Sequence, residues 1–201
     1  MKRTVCAMLT LVLALALCAT AIAEVYTHPE AGYGFTIPEG WLAIDGENAQ
    51  AVLDVNAQGA DFSDMIAATL EQVKGMPIVL LYESDKDSPV FRNNINVTLQ
   101  DLGGEADISE ILPYGGAFAE GLAAALPEYT LTFPMDLVEL GPWVTALMGG
   151  EYVLNGMSLA IWQVRLISGT ILYEITLTAL ADEIEPYAEV LGALVATFTA
   201  P

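Results

Sequence analysis

The alternation of apolar and polar positions divides the chain beyond residue 23 into short β-like runs separated by three helical stretches. Val25 to His28 reads as a short strand. Gly32 to Ile37 then alternates small residues with aromatic or aliphatic ones, and Pro38-Glu39-Gly40 predicts a turn that brings Trp41 to Ile44 back as the second arm of a hairpin. Ala51 to Val55 is a third β-like run, closed by the polar loop Asn56 to Gly59. From Phe62 the apolar residues Ile66, Leu70 and Val73 recur at helical spacing, with Asp64 in the first turn and Lys74 in the last, where each complements the helix dipole, and Gly75 ends the helix.

Ile78 to Tyr82 follows Pro77 as a buried-strand pattern, and Asn94 to Leu99 places Ile95, Val97 and Leu99 on one face of another strand. A second helix starts near Pro113, whose fixed φ suits a first helical position, and runs through Phe118, Leu122 and Ala125 to stop before Pro127. Tyr129 to Phe133 and Val138 to Leu140 read as two short strands. Glu151 to Leu154, Asn155-Gly156 and Met157 to Leu166 form the clearest hairpin, because Asn-Gly suits a type I′ turn, and Ser168-Gly169 turns the chain into Thr170 to Thr178 as the third strand of a meander. The last helix is expected to be capped by Asp182, with Glu185 three residues on, and to carry Tyr187, Leu191, Leu194 and Phe198 along its apolar side. Strands interspersed with helices, joined by connections that permit antiparallel pairing, predict a single α+β domain.

The N-terminus has its own pattern. Lys2 and Arg3 precede an almost wholly apolar run from Val5 to Cys18, and Ala21-Ile22-Ala23 has the small-residue spacing of a signal-peptidase site. Residues 1–23 are therefore expected to be a secretory signal peptide and residues 24–201 the exported domain, secreted or held in the cell envelope, with no transmembrane span once the signal is cut. An uncleaved signal would instead serve as an anchor, since Val5 to Ala23 is nearly long enough to span a bilayer. Cys6 and Cys18, the two cysteines of the chain, lie within this segment, so cleavage excludes disulfides, thiol catalysis and thiolate-bound metals in the exported domain. Lys74, Lys86, Arg92 and Arg165 then face 26 acidic residues, a balance that repels phosphate backbones and excludes nucleic acid as a partner. The chain is 54% hydrophobic, enough to bury a core, and this rules out the disorder that so acidic a composition would otherwise suggest.

Tyr33-Gly34-Phe35-Thr36-Ile37-Pro38-Glu39-Gly40-Trp41 resembles the opening motif of PsbP-like and Mog-type domains, a group that includes secreted bacterial proteins of undefined role. The strand Asn94 to Thr98, the Gly149-Gly150 segment, the run Leu172 to Thr176 and a closing helix ending in Phe198 follow in the same order. The resemblance implies an α-β-α sandwich, a mostly antiparallel sheet with helices packed on both faces. Members of that group act as accessory subunits, as binders of a small GTPase, or in undefined envelope roles, so the resemblance implies little about function.

Candidate chemistry is sparse. His28 is the one histidine, and no serine lies in a nucleophile elbow to partner it. Gly156-Met157-Ser158-Leu159-Ala160 mimics that elbow but sits in the predicted hairpin and lacks its final glycine. Glu83, Asp85 and Asp87 alternate within one polar loop and supply the oxygen ligands that a divalent cation such as calcium or manganese would need, although Lys86 stands among them and the glycine and distal glutamate of a calcium hand are missing. Tyr33 and Trp41 are either core anchors or the aromatic hot spots of a partner surface. The reading is a non-catalytic accessory domain that binds a protein partner and carries no cofactor. A weak divalent-cation binder is the alternative, and a hydrolase built on a carboxylate pair comes last.

Overall fold

The computed structural model of the chain describes residues 24–45, 78–83 and 91–201. The signal segment, the strand at 51–55, the helix at 62–74 and the loop carrying Asp85 and Asp87 lie outside the described residues. Two sheets are present among them. β1 (Val25–Thr27) and β2 (Gly34–Thr36) pair as a small antiparallel ribbon. β3 (Trp41–Ile44), β4 (Val79–Glu83), β5 (Asn94–Asp101), β6 (Thr130–Leu140), β7 (Trp143–Leu154), β8 (Met157–Ser168) and β9 (Ile171–Leu180) form a seven-stranded sheet in the order β3-β4-β5-β9-β8-β7-β6. Every neighbouring pair in that sheet is antiparallel.

The N-terminal arrangement corrects one expectation. β2 pairs back with β1, and the Pro38-Glu39-Gly40 turn hands the chain to the large sheet, where Trp41 in β3 faces Glu83 in β4. Gly34 explains the switch: its N–H donates to the Thr199 carbonyl at 2.9 Å and its own carbonyl accepts from Thr199 N–H at 2.7 Å. A Cβ at residue 34 would stand 2.7 Å from the Tyr26 carbonyl oxygen, so only glycine lets β2 lie between β1 and the C-terminal segment.

The meander is as the sequence predicts, with longer strands. Asn155 and Gly156 adopt φ values of 52° and 79°, the left-handed pair of a type I′ turn, between β7 and β8. The two short strands expected at 129–140 are one strand, β6, whose register shifts on either side of Phe133. Pro134 has no N–H to give a ladder, and β6 tolerates it because it is the edge strand of the sheet.

Two α-helices accompany the sheet among the described residues, α1 (Gly115–Ala125) and α2 (Ile184–Ala196). α2 buries Tyr187, Leu191, Leu194 and Val195 against Val164, Leu166, Ile175 and Leu177 of β8 and β9. Each fully buried leucine on that face contributes about 1.5–3 kcal/mol. Tyr33 and Phe35 of the small ribbon close the same core, stacked on Phe198 just past α2. Asp182 does not cap α2: a 3-10 turn at Ala181–Glu183 continues directly from β9, so the helix begins at Ile184 behind Glu183, whose side chain makes no capping bond. The capping box lies instead at Asp107-Ile108-Ser109-Glu110, where Asp107 accepts from Ser109 N–H at 2.8 Å and Glu110 accepts from Asp107 N–H at 3.1 Å. It opens a 3-10 helix, Ile108–Tyr114, that takes in Pro113 and leads into α1. No residue of α1 is buried.

Candidate functional site

Strand alternation sorts β8 and β9 into two sets. Val164, Leu166, Ile175 and Leu177 belong to the core under α2, whereas Gln163, Arg165, Glu174 and Thr176 point the other way. The hairpin register places Arg165 directly opposite Glu174 and Gln163 directly opposite Thr176, so four polar side chains meet on one patch of sheet.

Arg165 is 2% exposed, the largest fully enclosed side chain among the described residues. Its Nη2 forms a salt bridge with Glu174 Oε2 and donates to Gln163 Oε1 at 2.8 Å. Gln163 Nε2 in turn donates to Glu174 Oε1 at 3.0 Å and to Thr176 Oγ1 at 3.3 Å. Phe118 of α1 lies over the guanidinium with 4.2 Å from Cζ to the ring centroid, a cation–π contact worth up to about 2 kcal/mol when water is excluded. Burial pulls the guanidinium below its ordinary pKa, and Glu174 opposes that shift.

This network uses one nitrogen of the three. Among the described residues, Arg165 Nε and Nη1 have no hydrogen-bond partner, and the same is true of the Tyr129 hydroxyl. The two side chains sense each other: burial raises the Tyr129 phenol, and the Arg165 charge partly offsets the rise. Tyr129 is placed by two backbone features. Glu128 before it adopts φ 55°, which is costly for a residue with a Cβ, and Gly150 beneath it leaves room that a Cβ would fill to within 2.5 Å of the phenol. Small apolar clusters flank the patch, Ile108, Ile111, Ala146 and Leu172 at one end and Tyr152, Leu159 and Ile161 at the other, the latter covered by Leu122 and Leu126. The site is a set of donors lacking acceptors, enclosed by apolar walls and overlaid by a helix that buries nothing of its own.

No protein-family model matches the chain, and no curated protein matches it. Solved structures do. LpqN of Mycobacterium tuberculosis, described as involved in cell envelope biogenesis, is similar with a TM-score of 0.58 and 14% identity over 91% of this chain and 88% of that one. The cyanobacterial PsbP, CyanoP, of Synechocystis is similar with a TM-score of 0.59 and 12% identity, over 91% and 96%. The fold is PsbP-like. A structure from Bacteroides thetaiotaomicron is also similar, with a TM-score of 0.54 and 14% identity over 89% of this chain and 48% of that one.

Within the PsbP-like fold the residues singled out by the sequence stand apart from Arg165. Tyr33 is fully buried and Trp41 is 7% exposed; both pack in the core, Tyr33 against Tyr173 and Phe198, Trp41 against Tyr187. Burial, with Asp45 and Tyr173 adding to it, raises the Tyr33 phenol far above its ordinary value. His28 is a turn residue whose Nδ1 accepts from Glu30 N–H at 3.3 Å and Ala31 N–H at 3.2 Å. Glu83, the one described member of the predicted cation set, accepts from the Tyr187 hydroxyl at 2.7 and 2.9 Å and from Asn93 Nδ2 at 3.1 Å, which ties β4 to α2. Among the described residues no group of three or more His, Cys, Asp or Glu side chains is arranged to hold a metal ion. No helix among them is long and apolar enough to cross a membrane.

Sequence reasoning passed over Arg165 and Tyr129. A signal was present: folding residues 157–180 about Ser168-Gly169 sets Arg165, one of four basic residues beyond position 23, against Glu174.

Proposed function

We propose that the chain is a non-catalytic, envelope-associated domain that acts outside the cytoplasm by binding a protein partner. The observation that carries this reading is the PsbP-like fold, shared over about nine-tenths of the chain with a protein described as involved in cell envelope biogenesis. The basic-apolar-small pattern of residues 1–23 supports export, and the acidic balance of the chain favours solubility there. In this reading the architecture is an α-β-α sandwich, with α2 as the layer on one face and α1 with its preceding turn as the layer on the other.

The test is expression of the full chain with a C-terminal affinity tag in a bacterial host, followed by cell fractionation, intact-mass analysis and in-cell crosslinking. Export is expected to yield a species beginning at Glu24 in the extracytoplasmic fraction, crosslinked to a discrete second protein. A cytoplasmic full-length product would overturn the localisation, and an exported chain that crosslinks to nothing would overturn the binding role.

A further inference from the structure

The Arg165 patch invites a question that the fold does not answer. A guanidinium 2% exposed is expensive to enclose unless its donors are used, yet Nε and Nη1 have no acceptor among the described residues, and the hydroxyl of Tyr129 has none either. We propose that α1 is the lid of a ligand site in which Arg165 and Tyr129 donate to the carbonyl oxygen of an uncharged, largely apolar molecule. The proposal goes beyond partner binding and stands or falls separately from it.

Three observations select that ligand class. The unclaimed groups are N–H and O–H donors, so the ligand must present an acceptor. Arg165 is already matched by Glu174, and Arg92 is the one other lysine or arginine among the described residues of a chain whose formal charge is −20, so a carboxylate or phosphate would bring an unmatched negative charge into a negative field. A carbonyl asks for the same hydrogen bonds without that charge. The walls beside the donors are Phe118, Leu122 and Ile161, which suit an alkyl or aryl body.

Access comes from α1. It buries no side chain, and Gly116 and Gly121 lie in it with nothing within 4 Å of where a Cβ would be. Neither packing nor a positive φ requires those glycines, and they weaken the helix. Its contacts are those of half-buried side chains, Phe118 and Leu122, so it opens more readily than α2, which buries four.

The test titrates the folded chain with hexanamide and with hexanoate, which share an alkyl body and differ in charge, while following the Arg165 Nε–Hε resonance by ¹⁵N–¹H NMR. The chain has three arginines, so this resonance is assignable through its own side-chain couplings. Hexanamide is expected to shift the Arg165 signal saturably, hexanoate at equal concentration to leave it in place, and Y129F to weaken hexanamide binding about tenfold, the loss of one hydrogen bond. The phenylalanine ring still fills the space over Gly150, so Y129F is expected to keep the native midpoint of unfolding within a few degrees. Three results would each overturn the proposal: no saturable shift of the Arg165 signal by hexanamide, an equal response to hexanoate, or a hexanamide response that Y129F leaves unchanged in a folded variant.

Discussion

Gly141 and Gly156 both hold left-handed backbone in a tight β-turn, at φ 62° and 79°, yet they answer to different constraints. Gly156 closes the β7–β8 hairpin with nothing within 4 Å of a prospective Cβ, so Gly156→Ala loses conformational fit alone, about 1 kcal/mol. Gly141 closes the β6–β7 hairpin against the end of α2, where a Cβ would stand 2.6 Å from the Cα of Ala196. A backbone atom cannot rotate away, so Gly141→Ala is expected to cost more than Gly156→Ala, about 2–3 kcal/mol. Urea unfolding of the two variants measures the difference as a lower midpoint at unchanged slope, and equal midpoints would show that α2 shifts without cost. The two residues also differ in how plainly the sequence announces them. Asn155-Gly156 is a local turn signature, legible from the two residues alone. The constraint on Gly141 comes from Ala196, 55 residues away in the chain, and leaves no mark around Gly141 itself.

Between elements, the same distinction separates what could be predicted from what could not. β5, the β8–β9 hairpin and the apolar side of α2 follow from period-2 and period-3.6 patterns, and Ile95, Val97, Leu191 and Leu194 are buried as those patterns require, whereas β6 reads as two short strands and β7 begins eight residues before the run at Glu151. In sequence Glu83 reads as a member of an acidic loop because its neighbours are acidic, but its partners are Tyr187 and Asn93, from α2 and the approach to β5. Tyr187→Phe removes an O–H donor from a half-buried carboxylate and is expected to cost about 1.5–3 kcal/mol. In a double-mutant cycle with Glu83→Gln the two losses are expected to be less than additive, and strict additivity would show that the pair does not act as a unit. For α1, hydrogen exchange is the direct measure. Its amides are expected to exchange with lower protection than those of β8 and β9, at least tenfold faster, and Gly121→Ala is expected to slow them by about fivefold. Protection equal to that of the central strands would show a helix bound as tightly as the core and would remove the lid.

For the molecule as a whole, charge and burial act together at high pH. Tyr33, Tyr82, Tyr129, Tyr152 and Tyr173 are all held above the ordinary phenol value of 10.0, each chiefly by burial. A group whose native pKa is raised favours folding while it stays protonated. The contribution of these phenols is therefore complete below pH 10 and is lost as the pH rises from 10.0 through the higher native values. Each phenolate formed also adds negative charge to a chain already at −20, so the first ionisations make the folded state less able to resist the next. Folding is thus expected to fail cooperatively above pH 10, with the 295 nm phenolate absorbance of the buried tyrosines rising together with the loss of near-ultraviolet circular dichroism. Added salt screens the repulsion between surface acids and leaves the burial term in place, so it should move the transition upward by only a fraction of a pH unit. Should the five phenols titrate independently near pH 10 with the dichroism intact, the core that joins the small ribbon, β9 and α2 would have to be far more open to water than Tyr33 and Tyr173, both at or below 2% exposed, allow.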